Sequence, residues 1–168
     1  GSQDVPLTPQ GEDEARLAFA LLGDIDWPLI VSSPLERARR TAELATGRMP
    51  HQLIDGLKER HWGHLENQPI PRPMPYLLEP DGGESWETFA ARVVATLNMI
   101  LEHEATPPLV VGHSGLIRVV RFMACGSPEG PRTANAQPLW VAPDTRAQWE
   151  MRPLGLADIA HLLRLTRS

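Results

Sequence analysis

The clearest pattern of apolar positions lies between residues 84 and 104. Apolar side chains recur there at steps of three and four residues, which predicts an amphipathic α-helix. A similar stripe between residues 7 and 24 predicts a second helix. Thr8 is suited to cap its N-terminus, and Pro9 fits the first helical position.

Two apolar runs stop at turn residues and continue as helices. The run "WPLIVSS" (27–33) predicts a short buried strand, and a helix is expected from Pro34 to about Thr46. The stretch "PPLVVGHSGLIRVVRFMA" (107–124) again reads as strand, tight turn and helix, and "HQLID" (51–55) is a further candidate strand. This alternation predicts a three-layer α/β/α fold, in which helices cover both faces of a mostly parallel sheet.

The C-terminal part has a different pattern. The segments "AQPLWVAP" (136–143), "TRAQWEM" (145–151) and "IAHLLRL" (159–165) read as three strands. Such strands would form an antiparallel C-terminal edge on the sheet. The Pro-rich segment 67–83 is either a linker or a lid over a site, and we interpret it as an excursion within a single domain of residues 1–168.

Composition narrows the function classes. The chain has 168 residues, of which 42% are hydrophobic, and this suits one soluble domain with its own core. A net charge of −5 argues against an extended nucleic-acid surface. The single cysteine, Cys125, fits a reducing compartment, so a cytoplasmic location is expected. No membrane-spanning run and no leader pattern is visible, and the sequence does not fix the oligomeric state.

Polar residues follow two of the predicted strands. Arg37 lies in the first turn of one helix, and His113 stands at the tip of a strand, with Ser114 and Gly115 opening the next helix. Ligands of parallel sheets bind beyond the carboxyl ends of strands, where helix N-termini attract anions. An arginine and an imidazolium there would suit a phosphate. The alternative is that His113 merely caps a strand.

The segment "LKERHWGHLENQP" (57–69) supplies a third candidate. Glu59 beside a phosphate would protonate a leaving oxygen if its acid form were stabilised. The alternative is a solvated run of charges on a turn. His61 and His64 have no third metal ligand at a recognisable spacing, so neither a metal nor another cofactor is expected.

Five segments, in this order, resemble the histidine phosphatase superfamily, the phosphoglycerate mutase-like proteins. They lie between about Asp4 and Arg118, and they are "DVPLTPQGEDEA", "SSPLERARRTAE", "LKERHWGHLE", "GGES" and "VVGHSGLIR". The resemblance is greatest to small bacterial α-ribazole and broad-specificity phosphatases. It implies a metal-independent phosphatase that acts on a small phosphorylated metabolite.

The resemblance also implies roles for individual residues. Arg37 would bind the transferred phosphoryl group, and His113 would be the second histidine of the phosphate pocket. Glu59 would be the proton donor, while Ser114 and Gly115 would add hydrogen bonds. The family's nucleophile, however, is a histidine in an Arg-His-Gly motif on the first strand, and the 168 residues contain no Arg-His-Gly.

Three explanations for the missing motif stay open. A preceding segment carries it in the natural protein, or the protein is a non-catalytic phosphate- or protein-binding member, or the C-terminal tail "ADIAHLLRLTRS" (157–168) fills the place of the first strand. In each case these 168 residues alone are predicted to be inactive. The expected function is phosphomonoester hydrolysis through a phosphohistidine, and a phosphoglycerate mutase-type phosphotransferase is the further alternative.

Overall fold

We describe a computed structural model of the chain. It describes residues 1–69, 74–102, 106–143, 146 and 148–167. The central part of the Pro-rich excursion and the last residue of the tail therefore lie outside the described residues.

Three parallel strands form the central sheet. They are β1 (Ile30–Ser32), β2 (Gln52–Leu53) and β3 (Leu109–Val111), in the order β2-β1-β3. The register pairs Ile30 with Leu109 and Ser32 with Val111. Because side chains alternate across a strand, Ile30 packs with the first and last helices while Val31 packs on the other face.

Helices cover both faces of this sheet. One core cluster joins α1 (Pro9–Leu22), α2 (Glu36–Thr46) and Trp27, and a second is built from α3 (Trp86–Leu101) and α4 (Ser114–Cys125). The α/β class with its mostly parallel sheet is thereby confirmed.

Side-chain caps start two of these helices, and the one at Thr8 is the cap expected from the sequence. The Thr8 side chain accepts a hydrogen bond from the N–H of Gly11 at the start of α1, and that of Ser85 accepts one from Thr88 at the start of α3. The helix α2 begins at Glu36, two residues later than expected. Its C-terminus is closed by Gly47 in the left-handed conformation, at φ 69°.

The C-terminal part contains one antiparallel pair and one helix. Strands β4 (Leu139–Pro143) and β5 (Trp149–Pro153) form the expected antiparallel pair, as a separate two-stranded sheet. The third strand expected at 159–165 is wrong, because residues 156–166 form α5 (Leu156–Thr166).

Local signals explain why the tail is a helix. Asp158 accepts a hydrogen bond from the N–H of Gly155 at 2.8 Å, which caps the helix start. Leu162 is buried against α1, and Ile159 and Leu163 pack beside it, at the spacing of one helix face. The helix also removes the explanation that the tail replaces a missing strand.

Candidate active site

The carboxyl ends of β1 and β3 bring two residues together that are 80 positions apart in sequence. Ser33 follows β1, and His113 follows β3 directly before α4. His113 Nε2 lies 2.8 Å from Ser33 Oγ, and the Ser33 residue is fully buried. The parallel pairing of the two strands therefore fixes where the imidazole stands.

Arg37 lies in the first turn of α2 and lines the same cleft as His113. Its two terminal nitrogens donate hydrogen bonds to the carbonyls of Gly1 and Gln3, both at 2.7 Å. A guanidinium carries five N–H donors, so these two contacts leave capacity to bind an oxyanion. The N-terminal segment and an anion would thus approach the same side chain.

The surroundings of His113 favour the neutral form of its imidazole. Burial lowers the pKa of His113 to about 3, and the positive charge of Arg37 contributes to the shift, as does the N-terminal ammonium. Arg37 and His113 line the same cleft, and the charge of Arg37 disfavours protonation of the imidazole. The low pKa favours a neutral ring before an anion binds, and an imidazolium that adds charge to the pocket stays a prediction for the anion-bound protein.

Glu59 binds the N-terminus of α4. Its Oε2 accepts a hydrogen bond from the N–H of Gly115 at 3.1 Å and one from the Ser114 hydroxyl at 3.3 Å. A Cβ on Gly115 would lie 2.1 Å from Glu59 Oε1, so only glycine permits this approach. The carboxylate occupies the kind of helix terminus that attracts anions.

The other helix N-terminus at this edge also holds a carboxylate. Asp4 Oδ1 accepts a hydrogen bond from the N–H of Glu36, the first residue of α2, at 2.6 Å. Two helices thus direct their positive ends to the same cleft, and in each case an acidic side chain of the chain itself binds there. This arrangement makes the cleft chemically suited to a phosphate.

Arg60, the residue that follows Glu59, holds part of the Pro-rich excursion in place. The Arg60 residue is 1% exposed, so it is not part of a solvated charge run. Its guanidinium donates to the carbonyls of Tyr76, Leu78 and Glu84, and it lies 4.3 Å from the centre of the Trp62 ring. Sequence reasoning missed this contact, because backbone carbonyls have no side-chain pattern that could signal it.

Arg92 fixes the backbone that precedes Glu59. It forms a two-pronged ion pair with Glu84, at 2.9 and 2.7 Å, and donates to the carbonyls of Gly56 and Lys58. Glu59 therefore sits between two segments that arginines fix in place. A general acid benefits from such fixation because proton transfer depends on geometry.

A large groove runs along the free side of β3. It has a volume of about 1490 Å³ and is lined by the whole of β3 and β4, by Val94 and Leu97 of α3, and by His113. The Leu109 N–H donates to Leu29, and the Val111 carbonyl accepts from Ser33, so both face β1. By alternation, the N–H and carbonyl of Val110 point into the groove, where none of the described strands pairs with them.

The remaining candidate residues lie apart from these contacts. His64 Nδ1 is near the carbonyl of Asp81, and the His161 ring packs against Trp140. Within the described ranges, no group of three or more His, Cys, Asp or Glu side chains is arranged to hold a metal ion. No helix among these residues has both the length and the apolar character needed to cross a membrane.

The fold and the cleft define an α/β protein with a polar, anion-compatible site at the carboxyl edge of a parallel sheet. The chain belongs to the histidine phosphatase superfamily (branch 1), whose sequence profile matches residues 1–136. This membership supports a phosphatase-type function.

Individual relatives agree with this assignment. The chain is 32% identical over 147 residues to the uncharacterized phosphatase PhoE of Bacillus subtilis (strain 168), covering 81% of this chain and 75% of that protein. It is 28% identical over 146 residues to the adenosylcobalamin/alpha-ribazole phosphatase of Escherichia coli (strain K12), covering 76% and 71%. A phosphoglycerate mutase structure from Thermus thermophilus superimposes with a TM-score of 0.69 at 31% identity, covering 92% and 88%. The phosphoglycerate mutase-like fold is thus confirmed.

Proposed function

We propose that the chain is the larger part of a phosphomonoester hydrolase that acts through a phosphohistidine. The observation that carries the proposal is the contact of Glu59 with the N-terminus of α4, directly beside His113. It supports a proton donor next to an oxyanion site. Arg37 and His113 would bind the phosphoryl oxygens together with the N–H of Ser114, and the N–H of Gly115 would join them once Glu59 releases it.

The nucleophile in this proposal comes from a strand outside the 168 residues that adds to the free edge of β3. Its imidazole nitrogen attacks phosphorus, the bond from phosphorus to the leaving oxygen breaks, and Glu59 gives that oxygen its proton. Water then attacks phosphorus, the phosphorus–nitrogen bond breaks to free the imidazole, and the proton lost by the water passes to Glu59. The groove beside Val110 supports this assignment, because a strand there would satisfy the exposed backbone groups of β3.

The hydrogen bonds of two buried arginines favour hydrolysis over a mutase reaction. Arg60 binds three backbone carbonyls, and Arg118 binds those of Pro128, Gly130 and Pro131. These two buried cations are thus engaged within the protein rather than directed at a second phosphate of a bisphosphorylated substrate. We infer a small monophosphorylated metabolite as substrate, and the single cysteine fits a cytoplasmic setting.

The 168-residue chain alone is expected to show no phosphohistidine turnover with p-nitrophenyl phosphate. The reason is that these residues lack the Arg-His-Gly motif that would supply the nucleophilic histidine. The measurement is release of nitrophenolate together with acid-labile radiolabel on the protein. Activity that disappears on replacing His61, His64 or His161 would refute the proposal.

A further inference from the structure

Ser33 is a buried polar residue that the reaction scheme does not yet use. It is the first residue after β1, it is 0% exposed, and its Oγ lies 2.8 Å from Nε2 of His113. Its backbone is fixed to β3, since its N–H donates to the carbonyl of Val111 at 2.9 Å. The hydroxyl therefore approaches the imidazole from a fixed position.

The position of the hydroxyl hydrogen follows from the other contact of Ser33. The N–H of Leu35 donates to Ser33 Oγ at 3.3 Å, so one lone pair of that oxygen is already used. A buried hydroxyl hydrogen needs an acceptor, and among the described contacts of this oxygen the acceptor is His113 Nε2. The Ser33 hydroxyl then donates, and Nε2 carries no hydrogen.

A neutral imidazole without a hydrogen on Nε2 carries it on Nδ1. The low pKa of His113, which burial and Arg37 produce, agrees with a neutral ring. Within the part of the chain that the structure describes, no hydrogen bond engages His113 Nδ1. The Nδ1–H is thus a donor with its direction set by the contact on the opposite side of the ring.

We propose that Ser33 is a positioning residue that holds His113 as the neutral tautomer with its hydrogen on Nδ1. The catalytic role of this tautomer rests on the reaction proposed above. In that reaction the Nδ1–H of His113 would donate a hydrogen bond to a phosphoryl oxygen. A mobile ring would spend part of its time with the hydrogen on the wrong nitrogen. Ser33 removes that alternative before substrate binds.

The tautomer can be read from the 168-residue chain itself. We would record two-bond ¹H–¹⁵N correlations of the His113 ring at pH 7 in the wild type, Ser33→Ala and Ser33→Thr. The wild type and S33T, which keeps a hydroxyl, are expected to show a bare Nε2, whereas S33A is expected to show a mixture of tautomers. A wild-type ring with its hydrogen on Nε2 overturns the proposal even if S33A does not fold, and so does an S33A spectrum identical to the wild type.

Inorganic phosphate separates this proposal from the proposed function. Phosphate is expected to shift the His113 resonances, and S33A is expected to weaken its affinity about tenfold while S33T preserves it. A bare Nε2 in the wild type, lost in S33A, together with no response to phosphate would support the role of Ser33 and overturn the phosphate site. A normal phosphate response with an unchanged S33A tautomer would do the opposite.

Discussion

A chain extended at Gly1 by a strand that ends in Arg-His-Gly is expected to hydrolyse p-nitrophenyl phosphate. The extension needs about five apolar residues, the motif, and a connecting loop, about thirty residues in all. Gly1 lines the same groove as His113, so an upstream strand can enter beside β3 from there. The expected gain over the 168-residue chain is at least about a thousandfold, because a covalent nucleophile is created.

The matched control for this experiment is the same extension with glutamine in place of its histidine. It keeps the strand, the loop and the backbone pairing with Val110, and it removes only the nucleophile. We expect it to raise the free energy of unfolding as the histidine form does, but to show no turnover. An active glutamine form, or a well-folded histidine form without activity, would contradict a phosphohistidine mechanism and favour a non-catalytic binding protein.

Replacing Glu59 with glutamine in the extended chain is expected to slow the hydrolysis of alkyl phosphates by about 10² to 10⁴. An alkoxide needs a proton as it leaves, and Glu59 is the carboxyl group beside the α4 terminus. Nitrophenolate leaves without one, so kcat/KM for p-nitrophenyl phosphate is expected to fall far less. The comparison of the two substrates isolates proton donation from any loss of folding or binding.

Glu87→Gln provides the control for this variant. Glu87 is exposed in the first turn of α3, and its replacement makes the same chemical change away from the cleft. It is expected to leave both rates near those of the parent chain. An equal loss for both substrates in E59Q would show that Glu59 supports the site rather than donating a proton.

The sequence predicted the elements whose pattern is local. The apolar stripe of α3, the cap at Thr8, and the strand ends at Ser33 and His113 are all visible in short windows. The tail was misread because adjacent leucines fit either a strand or a helix. The sequence signal that favours a helix is Asp158 three positions after Gly155, the two residues that form the capping contact.

The contacts that the sequence could not predict join distant segments through backbone atoms. Arg60 reads as part of a charged turn, yet its partners are carbonyls 16 to 24 residues further along. The contact between Ser33 and His113 depends on which strands are neighbours, and a pattern of strands and helices does not give their order. Both contacts are consequences of packing rather than of local propensity.

The central claim is that Arg37 and His113 bind one oxyanion together. It is tested most directly by titrating inorganic phosphate into ¹⁵N-labelled protein while following the His113 ring and the Arg37 side chain. Both signals are expected to shift with a single dissociation constant, and the bound dianion should raise the pKa of His113 from about 3. Arg37→Met should weaken binding roughly tenfold to a hundredfold, whereas Arg48→Met, at an ion pair with Asp26, should not. A His113 signal that does not shift at saturating phosphate, or an R37M protein that binds phosphate as tightly as the wild type, would contradict the claim.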